Sequence, residues 1–580
     1  MGNDFSADQK RYLEGFVSGM QAVRGAKTAP ASPVPMGPDA AHLAAQDATV
    51  AAGKKLVDQE KWKRAEHPFD AYPRLKAQAR DRAFPKPEDN FRWRYFGLFY
   101  VAPAQSSYMV RLRIPNGILT HWQFAGMADV AERMGGGYAH VTTRANLQIR
   151  EVMPENAPAV VEAVQDLGLC SRGSGADNIR NVTGSATAGI DPQEIADTRP
   201  LAREWHYHIL NDRSLYGLPR KFNVAFDGGG RIATLEETND IGFQAVRIGG
   251  ETWYRLILGG ITGHRDLARP TGVFCRPEEC CALADTIVRV FIDKGDRTNR
   301  TKARMKYVLD AIGFEAYLAA VEDKLGRKLV RLPEKDIAPR APFDRAAHIG
   351  VHPQRQEGLN WIGVTLPVGK MEATQMRGLA TIARDLGDGD IRLTIWQNLL
   401  ISGVPDARIE VAKAAIEALD LDWKATSLRA GLVACTGATG CKFAAAHTKE
   451  HALEIAEHVD ARLALDVPVN VHLTGCHHSC AQHYIGDIGL IGAKVTINDE
   501  GDQVEGYSIV VGGGFGDQAR IGRELWHEVR AEDCRGKVEG LLRGYMSHRQ
   551  GPEESFQAFT SRHELEDLKA LAEKTELVSA

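Results

Sequence analysis

The sequence predicts an α+β chain of several domains built on an internal duplication, and three observations carry that expectation. The 580 residues leave room for about three or four domains. From Phe91 onward, short apolar runs bounded by Gly, Pro and Asn alternate with stretches of helical periodicity. One block of that pattern occurs twice. S-Y-M-V-R-L-R-I-P-N-G, a helix, a glycine cluster and Y-A-H-V-T-T-R-A-N-L-Q-I-R find their counterpart between Trp361 and Ile401, without gaps, at a constant shift of roughly 250 residues, far longer than a solenoid period. Pro115 falls on Pro367, Gly117 on Gly369, Gln123 on Gln375, Thr142 on Thr394, Asn146 on Asn398 and Ile149 on Ile401. The shared order of strand, turn, helix, glycine and strand reads as two similar halves about a pseudo-twofold axis. The alternative is two independent modules of one kind.

Taken in order, residues 7–24 read as a short amphipathic helix with Ser6 as its cap. The proline-dense K-T-A-P-A-S-P-V-P-M-G-P reads as an extended linker, and residues 40–65 as helical again. Together they form an extension expected to dock on the core. S-Y-M-V-R-L-R-I alternates and ends in a Pro-Asn-Gly turn, so it reads as a strand. T-H-W-Q-F-A-G-M-A-D-V-A-E-R-M reads as a helix, closed by Gly135–Gly137, and Tyr138–Arg150 reads as one further strand. Cys280 and Cys281 lie in P-E-E-C-C-A-L-A-D-T-I-V-R-V-F, whose helical period makes them packing residues. Gly512–Gly514 and Gly516 follow the strand-like Y-S-I-V-V, but no helix with a ribose-binding acid comes next, so the stretch reads as a turn.

Composition narrows the function. Apolar residues at 44 % and charged residues at 25 % are ordinary for a globular protein. No apolar run has the length of a membrane span, so no membrane partner is expected. A net charge of −4 gives no reason to expect nucleic acid, and any basic pocket must be local. M-G-N-D-F-S-A-D-Q-K lacks the apolar core of a signal peptide; its match to a myristoylation pattern is too short to use. Nine cysteines without an export signal fit a reducing compartment, and a cytoplasmic location is expected. With no phosphate loop and no dinucleotide fingerprint, electrons for any redox chemistry must come from a separate carrier.

Two constellations carry chemistry. Cys435 and Cys441 lie in A-C-T-G-A-T-G-C-K-F-A, and Cys476 and Cys480 in L-T-G-C-H-H-S-C-A-Q-H-Y. Four thiolates in two pairs can hold a metal centre. Zinc pairs usually have tighter spacing than C-x5-C with C-x3-C, and a disulfide lacks the oxidising compartment it needs, so an iron–sulfur cluster is favoured while zinc stays open. His477 and His478 could join as ligands or stand outside. Arg111, Arg144, Arg180 and Lys221 form the second constellation, in turn-rich contexts where scaffolded loops carry function. Taken singly, each also fits a solvated surface cation.

C-T-G-x4-C followed by G-C-x3-C-A-x8-G resembles the sirohaem and [4Fe–4S] signature of the nitrite and sulfite reductase family. The resemblance covers about residues 90–545. It implies that Cys435, Cys441, Cys476 and Cys480 hold the cubane and that Cys480 also bridges to the sirohaem iron. M-V-R-L-R resembles the motif of the first active-site arginine, Arg111, and D-N-I-R-N-V-T-G that of the second, Arg180. L-P-R-K-F-N gives Lys221, with Arg220 beside it. T-T-R-A-N-L-Q-I resembles the segment against the macrocycle, giving Arg144, Asn146 and Gln148. The basic run from Arg297 resembles one that reaches sirohaem carboxylates. The implied fold is α+β and multi-domain, with two ferredoxin-like/sirohaem-binding halves. The expected division is 1–88 N-terminal extension, 89–155 first ferredoxin-like half-domain, 156–340 sirohaem- and substrate-binding domain, 341–405 second ferredoxin-like half-domain, and 406–580 cluster-binding domain with C-terminal helices.

Sulfite reductases of that family tend to carry a second lysine where this chain has Asn223, in Lys221-Phe222-Asn223. One cation fewer favours monoanionic nitrite over largely dianionic sulfite, by a Coulomb term of roughly 1–4 kcal/mol at close range. A-G-I-D-P-Q-E-I-A-D-T-R-P also resembles assimilatory nitrite reductases. The string Gly173–Asp177 holds no cysteine, so a tyrosine–cysteine crosslink of the kind some relatives carry is not expected. The expectation is therefore a monomeric, ferredoxin-dependent enzyme taking nitrite to ammonium with six electrons. Sulfite reduction on the same scaffold, a biosynthetic relative oxidising a tetrapyrrole precursor and a non-catalytic metal-binding protein are the competing readings.

Overall fold

The structure, a computed structural model, describes residues 35–424 and 426–576. The helix expected at 7–24 and most of the proline-rich linker lie outside the described residues. The stretch expected as helical over 40–65 forms two helices, Ala40–Ala51 and Asp58–Ala65. Tyr72–Arg80 and Pro87–Trp93 follow, each with a proline in its first turn, where the missing N–H has no helical partner to lose.

The duplicated block forms two five-stranded sheets. The first has the order Leu98–Tyr100, Tyr108–Arg111, Leu147–Val152, Tyr138–Val141 and Lys370–Glu372; the second has Gly350–Pro353, Leu359–Val364, Leu399–Pro405, Asp390–Leu393 and Ile118–Thr120. Each sheet thus takes its last strand from the other half. Ile118, Leu119 and Thr120 pair with Arg392, Ile391 and Asp390, while Lys370, Met371 and Glu372 pair with His140, Ala139 and Tyr138. The exchange excludes two independent modules. It turns on Gly117 and Gly369, at φ +71° and +77°. A Cβ on Gly117 would stand 2.7 Å from Ala145 Cβ and 2.9 Å from Leu393 O, so only glycine lets the chain cross there. The helices His121–Met134 and Ala373–Leu386 then pack on one another, with Arg377 reaching Asp129 at 2.8 Å. Each opens on a capping box whose glutamine, Gln123 or Gln375, also reaches Leu167 O at 3.1 Å or Leu419 O at 3.0 Å.

One strand expectation is corrected. Tyr138–Arg150 is not a single strand but two antiparallel ones, Tyr138–Val141 and Leu147–Val152. Between them Thr142 N–H bonds Asn146 O at 2.9 Å and Ala145 takes φ +47°. The turn contains no Gly or Pro, and the apolar alternation resumes beyond it, so the reversal left no mark in the pattern. The helix Ala157–Asp166 packs on His121–Met134, and Ile409–Glu417 on Ala373–Leu386, so the half-domains run past residues 155 and 405.

The other two sheets repeat one another as well. Ile179–Gly184, Phe222–Asp227 and Ile241–Ile248 are parallel, and Glu251–Leu258, Arg269–Cys275 and Val330–Arg331 continue antiparallel. Leu432–Ala434, Val471–Thr474 and Ile488–Thr496 are parallel, and Gln503–Val511 and Arg523–Arg530 continue antiparallel. A helix follows the fifth strand of each set: Cys280–Lys294, with Cys280 and Cys281 buried, after Arg269–Cys275, and Ala531–His548 after Arg523–Arg530. The duplication therefore extends well beyond the block visible in the sequence. No helix among the described residues is long and apolar enough to cross a membrane.

Candidate active site

Cys435 directly follows Leu432–Ala434, and Cys476 follows Val471–Thr474 after one glycine. The two strands are parallel neighbours, so both cysteines leave at the carboxyl edge of the sheet, where loops build sites. Gly475 N–H points at Cys435 Sγ over 3.2 Å, and His478 Nδ1 lies 3.3 Å from Cys476 Sγ. Cys480 is exposed to the cleft, and its carbonyl accepts from Thr143 Oγ1 at 2.9 Å. The unexpected turn at 142–146 thus seats the first half against the last cysteine loop.

The four thiols share one electrostatic site. Burial first, with the charges of Cys480, Cys441 and Cys435, pushes Cys476 up to about 12. Desolvation by the surrounding atoms and the charge of Cys435 raise Cys480, while Lys221 and Arg111 hold it down. Thiols so placed need a cationic centre to become thiolates. Four sulfurs about one zinc stand about 3.8 Å apart, from a Zn–S bond of about 2.3 Å. Among the described residues, no three of these sulfurs lie within 4.8 Å of one another. The sulfurs are thus set more widely than the ligands of one zinc. All nine cysteines are free thiols.

The cations converge on the same cleft from several elements. Arg111 ends Tyr108–Arg111, Arg144 sits in the 142–146 turn, Arg180 is second in Ile179–Gly184, and Arg220 and Lys221 precede Phe222–Asp227. Ile179 and Phe222 are register partners on parallel strands, which sets Arg180 near Lys221. Burial pushes Lys221 well below the ordinary lysine range; Arg304, Arg220 and Arg180 push the same way, against Cys480. Arg180 is likewise pushed far down by burial, Arg111 and Arg220. Arg144 and Arg220 each fall to about 10, burial first. The nearby carboxylates are already engaged. Asp177 takes Arg300 at 2.7 and 2.8 Å, and Asp240 takes Arg304 at 2.7 Å. Arg180 gives its terminal nitrogens to Ser174 O and Ala176 O, and its Nε is buried without a partner. The cleft is short of negative charge. A group bearing several carboxylates, with a small oxyanion beside it, supplies what is missing.

The remaining expected residues sort by what they touch. With its amide oxygen turned to Arg111, Gln148 accepts from Nε and Nη2 at 3.1 Å each, so it orients that arginine. Asn146 spends its amide on the backbone, donating to Leu112 O at 2.6 Å and accepting from Leu147 N–H at 2.8 Å, which makes it a fastener of the turn. Asn223 is 3 % exposed, with its N–H on Asp240 at 2.8 Å. The run from Arg297 is largely committed within the protein: Arg297 turns away to Glu60 at 2.7 Å, and Arg300 and Arg304 go to the two aspartates. Residues missed by the sequence reading include Arg150 and Lys449. Arg150, 3 % exposed, donates to Gly440 O at 2.7 Å inside the first cysteine pair. Lys449 bonds Val368 O and is lowered to about 8 by burial, with Cys435 opposing. The two-residue period placing Arg150 on the face of Gln148 was the available signal.

Comparison with known proteins covers the same elements. The chain matches the model of the nitrite and sulphite reductase 4Fe-4S domain over residues 175–329 and 426–575. It matches that of the nitrite/sulfite reductase ferredoxin-like half domain over 102–167 and 352–419. It is 36 % identical over 469 residues to a ferredoxin–nitrite reductase of Leptolyngbya laminosa, covering 79 % of this chain and 91 % of the relative. Against the chloroplastic ferredoxin–nitrite reductase of Zea mays the identity is 34 %, over 79 % and 82 % of the two chains. The structure of the Mycobacterium tuberculosis NirA protein superposes with a TM-score of 0.82 at 28 % identity, over 90 % of this chain and 99 % of that one.

Proposed function

The chain belongs to the nitrite and sulphite reductase family, and on that premise we propose that it reduces nitrite to ammonium with six electrons drawn from ferredoxin. One observation carries the reading: four thiols that share one electrostatic site lie beside a set of half-buried cations short of counter-charge. The resident cofactors are a [4Fe–4S] cluster and sirohaem. Cys435, Cys441, Cys476 and Cys480 would hold the cluster, Cys480 on the side of the tetrapyrrole, and Arg144 and Arg220 would meet sirohaem carboxylates. When bound, these groups deliver electrons singly and offer an iron to the anion.

The protein's own part is to hold the anion and move protons. Arg111 is oriented by Gln148 and lies over the Phe99 ring at 4.9 Å, so its fork is fixed before substrate arrives. Arg180 is gripped by two carbonyls and keeps its charge throughout. Lys221 is the cation whose proton can shift. An arriving anion offsets the push of Arg304 and Arg220, favours the ammonium form and lets Lys221 give a proton as oxygen leaves as water. Over the whole reaction nitrite takes up six electrons and eight protons and yields ammonium and two waters. Asn223 stands one strand period from Lys221 and adds no charge, which supports nitrite over sulfite. Steady-state reduction of both anions by reduced ferredoxin tests this. Ammonium formation with kcat/KM at least tenfold above that for sulfite is expected; sulfide as the faster product would overturn it.

A further inference from the structure

The helix Asp58–Ala65 lies outside every segment matched by the family models, yet one of its side chains is buried between the loops that carry Arg180 and Lys221. Lys63 is 9 % exposed. Its Nζ donates to Leu218 O at 2.9 Å and Gly217 O at 3.2 Å, and stands 3.7 Å from Asp177 Oδ2. Glu60, one turn back and fully buried, is its other partner, and is itself held by Arg297 at 2.7 Å and Gln46 at 2.9 Å. Leu218 precedes Lys221 by three residues, and Asp177 precedes Arg180 by three. The two loops also bond directly: Asn178 accepts from Gly217 N–H at 3.0 Å through its side chain and from Phe222 N–H at 3.1 Å through its carbonyl. Asp177 stands 3.8 Å from Arg220, whose Nε donates to Arg300 O at 3.3 Å. Every partner of the Lys63 ammonium is thus an oxygen of its own helix or of one of these two loops.

We propose that Lys63 is a positioning residue of the anion pocket: from the N-terminal extension it pins the loop before Lys221 to the loop before Arg180, and so sets the spacing of the two cations that hold the substrate. A strut serving stability alone has no need of a buried charge, since apolar packing of the same volume is often as good or better. An ammonium group instead fixes direction, because its protons need acceptors in definite places. Removing it leaves the Gly217 and Leu218 carbonyls without a donor and takes one cation from Glu60 and Asp177, so the Asn178 bonds are left to tie the two loops directly.

The inference rests on the nitrite-reducing reading, and the experiment separates the two. Holoenzyme carrying Lys63→Met, Lys63→Arg or Arg74→Ala is compared with wild type. Arg74 pairs with Asp89 at 2.8 Å and with Glu66, so its loss loosens the extension without touching either loop. Lys63→Met is expected to raise KM for nitrite at least tenfold with sirohaem and cluster content unchanged. It is also expected to speed hydrogen exchange at the amides of Gly217 and Phe222. Lys63→Arg should recover most of the KM, and Arg74→Ala should lower Tm without moving it. If the methionine variant does not load its cofactors, Lys63→Gln is read in the same way. Wild-type KM and wild-type exchange in the variant would overturn the proposal, as would an equal KM shift in Arg74→Ala. A wild-type enzyme that reduced no nitrite would defeat the functional reading alone, because the exchange measurement needs no substrate.

Discussion

Lys221 and Asn223 stand two residues apart where one strand begins, and the division of labour between them is electrostatic. Lys221 is half-buried, and desolvation together with Arg304, Arg220 and Arg180 presses its proton off. Lys221→Ala removes the proton donor proposed above but none of the proposed cofactor ligands, so kcat for nitrite is expected to fall about 100-fold, the lower end of general-acid effects, while the sirohaem and cluster absorption persists. Wild-type turnover would take the lysine out of the reaction. Asn223→Lys adds a cation on the same side of the strand. A second negative charge then gains up to about 4 kcal/mol at 4 Å in an effective dielectric of 20, before neighbouring cations take their share. The ratio of kcat/KM for sulfite to that for nitrite should therefore rise at least tenfold; an unmoved ratio would place selectivity elsewhere. At this scale the sequence marks candidate residues by local motif and says little about their partners. Arg111, Arg180 and Lys221 lie in local motifs. That Arg297 turns to Glu60, or that Arg150 slips beneath Gly440, is decided by segments more than 200 residues away.

Among the elements, the exchanged strands hold the two halves together, and the glycines before them carry the geometry. Gly117 and Gly137 both have positive φ, at +71° and +80°. Around Gly137 a Cβ would meet nothing within 4 Å, whereas at Gly117 it would press on Ala145 and on Leu393 O. Gly137→Ala should then cost only the left-handed conformation, about 1–2 kcal/mol. Gly117→Ala adds overpacking of about 1–3 kcal/mol. A fall in denaturant midpoint at least twice as large for Gly117→Ala is expected, and equal falls would mean that the crossing does not depend on close approach. The duplication was legible because Pro115, Gly117 and Gln123 act locally, as turn, crossing and cap, and recur at one spacing. The exchange was not legible, since the sheet an edge strand joins is a long-range choice with no local mark. The turn at 142–146 escaped for a different reason: Ala145 takes the left-handed conformation without the glycine that usually announces it.

Across the whole molecule, two halves of like architecture face one cleft with unlike chemistry: the second supplies thiols, and the first most of the cations. Neither set is stable alone in charge. Cys476 and Cys480 are held toward the thiol form without a cationic centre, and Arg111, Arg144, Arg180, Arg220 and Lys221 repel one another without an anionic one. Binding of an anionic macrocycle therefore counts as folding energy, about 4 kcal/mol when its concentration is 1,000 times Kd. Protein produced without sirohaem should melt below the holoenzyme for two reasons, the lost contacts and the unbalanced cations, and salt distinguishes them. Between about 0.01 M and about 1 M sodium chloride the Debye length shrinks from about 30 Å to about 3 Å, which screens an open basic cleft and leaves a neutralised one nearly unchanged. The Tm gap between the two forms should consequently narrow as salt rises, by gain in the sirohaem-free protein rather than loss in the holoenzyme. A gap of constant width across that range would mean that the cleft is already balanced by the protein's own carboxylates, and the charge argument for the cofactor would fall with it.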